Sequence, residues 1–199
     1  MPATADSPYE ILPDDYFSPL RLPEIFPDHA PLEVDIGSGD GAFIVAMAAR
    51  SPERRFIGIE RLLGRVRRTA RRASRQSLTN LRLLRVESSY AIRYLFPPAS
   101  VSVFHVCFPD PWPKRRHWSR RLIQPAFLET IHTALVPGGE LRVKTDNEPY
   151  FHYMREVFAQ QTLLREVEWD VPPDYPMTDF EARYVGEGLP IHRARLVKD

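Results

Sequence analysis

The chain has 199 residues, a formal net charge of +1, 43% hydrophobic and 27% charged residues, and one cysteine, Cys107. This length suffices for a single domain with a full sheet core, and the lone cysteine excludes an intramolecular disulfide and argues against a cysteine-built zinc site. No apolar run approaches the ~20 residues that span a bilayer, and M-P-A-T-A-D-S-P at the start lacks the basic and apolar regions of a signal peptide, so a cytoplasmic protein is expected.

Residues 1–31 hold seven prolines and no clear periodicity. They read as an N-terminal arm, extended or partly disordered, ahead of a single domain over 32–199. From Leu32 the chain alternates strand and helix. Strands are expected at Leu32–Ile36, Arg55–Ile59, Asn80–Val86, Val101–Phe108 and Glu140–Lys144, the last entered through a V-P-G-G turn at 136–139. Helices are expected at Ala42–Arg50, Leu62–Ser77, Tyr90–Leu95, Ile123–Leu135 and Glu148–Gln161. Leu164–Trp169 and Ile191–Val197 read as a closing strand pair. Repeated βα units with short connections imply a doubly wound, mostly parallel sheet.

The stretch E-V-D-I-G-S-G-D-G, Glu33–Gly41, passes from strand to helix through three glycines, which let the backbone turn tightly and approach a ligand. Gly37–Ala42 satisfies G-x-G-x-x-A, the dinucleotide fingerprint, and Glu60 follows at a suitable distance. Charge argues against a dinucleotide. Asp35 and Asp40 flank the glycines and no Lys or Arg lies between Glu33 and Ala49, whereas a pyrophosphate wants amides and cations at the helix start. A cationic ligand without phosphate fits better, and S-adenosylmethionine carries a sulfonium, an ammonium and a ribose diol. Asp35 would lie near its methionine part and Glu60 would take the ribose hydroxyls. The plain alternative is a glycine-rich turn with solvated acids.

Functional residues of such sheets gather at the carboxyl ends of the strands. Asp35, Glu60, Glu87, Asp110 and Asp146 stand at or just past five successive strands. For Glu87 and Asp146 a helix N-cap would explain the acid equally well. The most specific stretch is F-P-D-P-W-P-K-R-R-H, Phe108–His117, in which three prolines fix a loop around one carboxylate and one large aromatic face, beside a cationic tail. Such a face suits a nucleotide base with its phosphates, unless Trp112 is merely buried beneath the loop. A second basic stretch runs from Arg61 to Arg85, with nine arginines and no acid, and implies a local positive face.

These motifs resemble the bacterial tRNA (guanine-N7)-methyltransferases of the TrmB type. The resemblance rests on the acid–I-G-x-G-x-G loop, G-I-E at Gly58–Glu60, F-P-D-P-W-x-K-x-R-H at Phe108–His117 and R-R-L-I-Q-P-x-F-L at Arg120–Leu128. K-T-D-x-x-x-Y at Lys144–Tyr150 and T-D-F-E-x-R at Thr178–Arg183, with the following G-x-x-I-H-R, complete it. It implies a Rossmann-like class I S-adenosylmethionine-dependent methyltransferase fold with a seven-stranded sheet. The implied activity is methylation of guanine N7 at nucleotide 46, in the variable loop of tRNA. Carried over by position, Asp35, Gly37, Gly39, Glu60, Glu87 and Asp110 match the cofactor-binding set, with Asp110 also catalytic. Lys114, Asp146, Thr178 and Glu181 match the substrate contacts. Glu87 stands where the family usually has Asp or Asn, and T-x-x-E at Thr178–Glu181 also fits a helix capping box. The implied partner is tRNA, with no membrane and no metal, for a monomer or homodimer. A small-molecule methyltransferase would share the glycine loop without needing the cationic tail after Trp112, and a non-catalytic RNA-binding protein would not need an acid after each strand.

Overall fold

A computed structural model describes residues 7–199. Eight strands form one sheet: β1 Glu10–Ile11, β2 Leu32–Ile36, β3 Arg55–Ile59, β4 Leu81–Leu84, β5 Val101–Cys107, β6 Leu135–Thr145, β7 Arg165–Val167 and β8 His192–Val197. Their order across the sheet is β1-β4-β3-β2-β5-β6-β8-β7. The pairs from β1 to β6 are parallel, and β8 closes antiparallel between β6 and β7. The helices are α1 Leu22–Ile25, α2 Ala42–Arg50, α3 Leu63–Arg75, α4 Ser88–Tyr94, α5 Pro125–Ala134, α6 Glu148–Ala159 and α7 Asp179–Gly186, with a 3-10 segment at Arg115–Arg120.

The central strands are apolar nearly throughout because helices cover both faces. Side chains alternate between two cores with the period of a strand. Val34, Ile57, Ile59 and Phe104 join the core that includes α4, α5 and α6. Phe56, Leu81 and Leu83 join the core of α2 and α3. Glu33 and His105 are both buried and bonded at 2.6 Å. Burial works to raise the Glu33 carboxyl, but the His105 bond and the neighbouring arginines hold it below the ordinary range. Burial likewise lowers the His105 imidazole, against the pull of Glu33.

Three expectations need correction. The sheet has eight strands rather than seven, because Glu10 and Ile11 pair in parallel with Leu83 and Leu84. Residues 7–31 are accordingly not a loose arm. Ile11, Leu20 and Phe26 are buried in the larger core, and Leu20 N–H donates to Leu95 O at 2.8 Å. Residues 1–6, also expected to be extended or disordered, lie outside the described residues. The V-P-G-G segment is not a turn ahead of a strand but the irregular start of β6. Leu135 pairs with Val101 and Glu140 with Val103, with a register shift between them.

Candidate active site

Strands β2 to β6 end along one edge, and a cleft of about 920 Å³ opens there. One side is made by Gly37 after β2, Glu60 after β3 and Glu87 after β4; the other by Phe108, Pro109, Asp110 and Trp112 after β5, with Arg120 and Arg121.

The glycine loop is shaped before any ligand arrives. Gly37, Gly39 and Gly41 have φ of +76°, +56° and +78°, in the left-handed region that glycine reaches without penalty. Gly41 has a second reason to lack a side chain, since a Cβ there would meet Thr69 of α3 at 2.3 Å. The N–H groups of Gly37 and Ser38 both donate to Ile59 O, at 3.0 and 2.9 Å. These amides are committed to the sheet, and Asp40 is paired with Arg68 at 2.8 Å. A pyrophosphate would meet the acids that the charge pattern implied, with two of the loop's amides already occupied.

Asp35 lies beneath this loop, 2% exposed, and its Oδ1 has no hydrogen-bond partner, nor has the Oγ of buried Ser38. A buried polar atom left unpaired is costly. Burial, reinforced by Glu60 and opposed by Lys144, pushes the Asp35 carboxyl up to about 7. An ammonium or sulfonium would reverse that penalty. Glu60 has one oxygen on the Leu62 amide at 2.9 Å and the other 3.5 Å from Arg65. Glu87 is the N-cap of α4, accepting from Ser89 N at 3.1 Å and Tyr90 N at 2.9 Å. It lines the cleft while serving as the cap that the sequence already allowed.

Across the cleft, Phe108 and Trp112 adopt φ of +56° and +43°. Two bulky residues in the left-handed region flank Asp110, a strained arrangement of the kind that collects at functional sites. Asp110 is exposed. The Arg120 guanidinium lies 5.0 Å from the Trp112 ring centroid, and His117 meets that ring edge-on at 5.7 Å. Trp112 is half-buried and lines the cleft, so it is not simply packed beneath the loop.

The remaining expected residues do not line this cleft. Lys114 is exposed at the start of the 3-10 segment. Asp146 is half-buried after β6, and the cap of α6 falls to its neighbour Asn147, which accepts from Tyr150 N at 2.9 Å. Thr178 caps α7, its hydroxyl accepting from Glu181 N at 2.9 Å. Glu181 does not complete a capping box. Its carboxylate turns inward, 1% exposed, to Lys144 Nζ at 3.0 and 2.8 Å and to Arg193 at 3.2 Å. The C-terminal segment folds back to the carboxyl edge, where Phe180 meets Phe108 at 4.9 Å between ring centroids.

Sequence reasoning did not pick out Lys144 as a buried cation or Arg121 as part of the site. Lys144 is 2% exposed, with the rings of Tyr175, Phe43 and Trp169 at 4.8, 5.6 and 5.8 Å. The quoted K-T-D and R-R-L-I motifs contain both residues, but their burial is a tertiary fact with no local sequence signal.

A family model described as "Putative methyltransferase" matches residues 29–194. A Streptococcus equi subsp. zooepidemicus protein named tRNA (guanine-N(7)-)-methyltransferase is 35% identical over 193 residues, covering 94% of this chain and 91% of its own. A protein of the same name from Halorhodospira halophila is 38% identical over 178 residues, 87% of this chain and 77% of its own. This chain belongs to the tRNA (guanine-N7)-methyltransferase family. Among solved structures, the 16S rRNA methyltransferase KamB superposes with a TM-score of 0.66 at 16% identity, covering 92% of this chain and 93% of its own. The tRNA (m1A58) methyltransferase TrmI from Aquifex aeolicus gives 0.56 at 13% identity, covering 89% and 67%. Both share the class I methyltransferase fold. The cofactor of this methyltransferase is S-adenosylmethionine, and the unpaired Oδ1 of Asp35 beneath an acid-flanked loop fits it.

Proposed function

We propose that this enzyme methylates N7 of guanosine 46 in the variable loop of tRNA. The observation that carries the reading is one cleft with two unlike walls. A buried acid and a glycine loop border one side; Asp110, a cleft-lining tryptophan and arginines form the other. S-adenosylmethionine supplies the electrophilic methyl group. On the protein side, Asp35 holds the cationic methionine end, Gly37 and Gly39 let the backbone approach it, Glu60 takes the ribose hydroxyls and Glu87 stands at the adenine end.

Guanine N7 has a free lone pair and no proton, so no residue need act as general base at that atom. The work of the protein is then positioning and charge. Asp110 accepts from the N1–H and N2–H edge of guanine, which orients N7 and favours the cation that forms as the ring gains the methyl group. Trp112 offers a stacking face for the unstacked base, whose extrusion costs a few kcal/mol. Lys114 binds an adjacent phosphate. Asp146 and Thr178 contact the same nucleotide from β6 and α7, and Glu181 contributes by fixing α7 through Lys144. The outer face of α3, where Arg71 and Arg75 are exposed, adds phosphate contacts that position RNA without reading its sequence.

The test is transfer of labelled methyl groups to unmodified tRNA, with nucleoside analysis and mapping of the modified nucleotide. The reading expects 7-methylguanosine at position 46. Label in another nucleoside, or at another position, would overturn the corresponding part.

A further inference from the structure

The loop that carries Asp110 has an unusual fastening problem. Pro109, Pro111 and Pro113 remove every second backbone donor, and none of the remaining amides at Asp110, Trp112 and Lys114 makes a backbone hydrogen bond among the described residues. The loop also holds two bulky left-handed residues, Phe108 and Trp112. A segment so strained and so poor in donors must be tied down by its carbonyls. The carbonyl between Asp110 and Trp112, that of Pro111, accepts from Arg121 Nε at 2.9 Å.

Arg121 is 6% exposed. Its guanidinium lies 4.4, 4.6 and 4.9 Å from the ring centroids of Trp118, Tyr153 and Tyr150. No carboxylate pairs with it among the described residues, and its Nη1 is buried without a partner. Burying a cation in this way is expensive, and an apolar side chain of similar size in its place is commonly neutral or stabilising. The three rings offset part of that cost, but they do not call for a donor aimed at the loop. Loop geometry does, because a planar group clamped by three rings is a fixed point from which to hold one carbonyl. Two of those rings belong to α6, the helix that follows Asp146, so the same guanidinium joins the Asp110 loop to the next strand's edge.

We propose that Arg121 is a positioning residue for methyl transfer. Through the Pro111 carbonyl it holds the Asp110 carboxylate and the Trp112 ring in the arrangement that receives the target base. This inference rests on the reading of the cleft as a guanine-accepting site.

Arg121→Met keeps length and ring contact while removing the donor. In the full-length enzyme it is expected to leave the melting temperature equal or higher, and to leave cofactor Kd and the KM for tRNA within about threefold of wild type. The kcat for tRNA should fall about 100-fold, the scale of an ångström-level misplacement. The 15N order parameters of the amides of Asp110, Trp112 and Lys114 should fall from the rigid-backbone value of about 0.85 toward about 0.6. Arg121→Lys, which keeps the charge but not the planar stack, should recover only part of kcat. If Arg121→Met fails to fold, Tyr153→Leu, which strips one stacking face and keeps the Pro111 bond, should shift kcat and loop order parameters in the same direction by less. Wild-type loop order parameters, or wild-type kcat, in a folded Arg121→Met would overturn the proposal. Should the wild-type enzyme form no 7-methylguanosine, the reading of the cleft would fall by itself, and the order-parameter comparison would still decide whether Arg121 holds the loop.

Discussion

The two walls of the cleft are built on opposite principles. The wall of β2 and β3 is fixed by backbone: two amides converge on Ile59 O, glycines carry the positive φ values, and the buried Asp35 has an unpaired Oδ1. The wall after β5 is fixed by side chains. Its backbone is strained and donor-poor, and Arg121, Trp118 and the tyrosines of α6 hold it from outside. A small cationic cofactor needs a socket that exists beforehand, whereas a polyanionic RNA needs exposed charge and a rigid aromatic face. The first wall should therefore respond to changes in proton charge, and the second to salt and to distant packing.

The largest effect expected lies behind the second wall. Glu181→Gln leaves Lys144 and Arg193 facing a neutral group in a buried site, and should destabilise the fold by ~3–5 kcal/mol, read from denaturant melts. A normal melt with methyl transfer abolished would instead put Glu181 in contact with substrate and blur the contrast between the walls.

Next comes the socket. Asp35→Asn should weaken S-adenosylmethionine binding by ~1.5–3 kcal/mol, the loss of charge-assisted hydrogen bonds. The same change should raise the melting temperature of the cofactor-free protein at pH 7–8. The sign follows from the raised carboxyl, moved from an ordinary 3.8 to about 7. Between those values the folded state holds a proton that the unfolded chain has released, so stability falls as pH rises through that window. Asparagine has no charge to desolvate and escapes the loss. An asparagine variant whose melt keeps the wild-type pH dependence would show that Asp35 is not the group responsible.

Glu87→Ala removes the cap of α4 and should cost ~0.5–2 kcal/mol. If cofactor affinity drops with no change in melting, Glu87 belongs to the socket rather than to the helix. The smallest effect concerns α3. Arg71→Gln with Arg75→Gln should flatten the dependence of log affinity for tRNA on log salt by about one for each phosphate no longer neutralised, and leave cofactor binding alone. An unaltered slope would make that face merely solvated.

The first wall was legible in the sequence and the second only in part. Leu32–Ile36, Ala42–Arg50 and Arg55–Ile59 have the boundaries that apolar patterning and glycines assign to them, because local propensity and burial agree there. Strand β1 escaped notice because it is two residues long and set among prolines, and only Leu83 and Leu84 make it a strand. Helix α5 starts at Pro125, two residues later than its apolar pattern, since proline is favoured in a first helical turn. Helix α7 was visible only as the T-x-x-E spacing, and Glu181 obeys half of that motif because a buried lysine from another element claims its carboxylate. The burial of Lys144 and Arg121 has no local signature. Long cations read as surface residues until the rings that cage them come together in space.

Calorimetric titration of S-adenosylmethionine into the protein, without and then with unmodified tRNA, tests the preformed socket most directly. The account predicts one-site binding in the absence of RNA, with affinity rising from pH 6 to pH 8 as Asp35 ionises and responding only weakly to salt. Binding that appears only once tRNA is present would contradict it, because the socket would then be made by the RNA rather than by the fold.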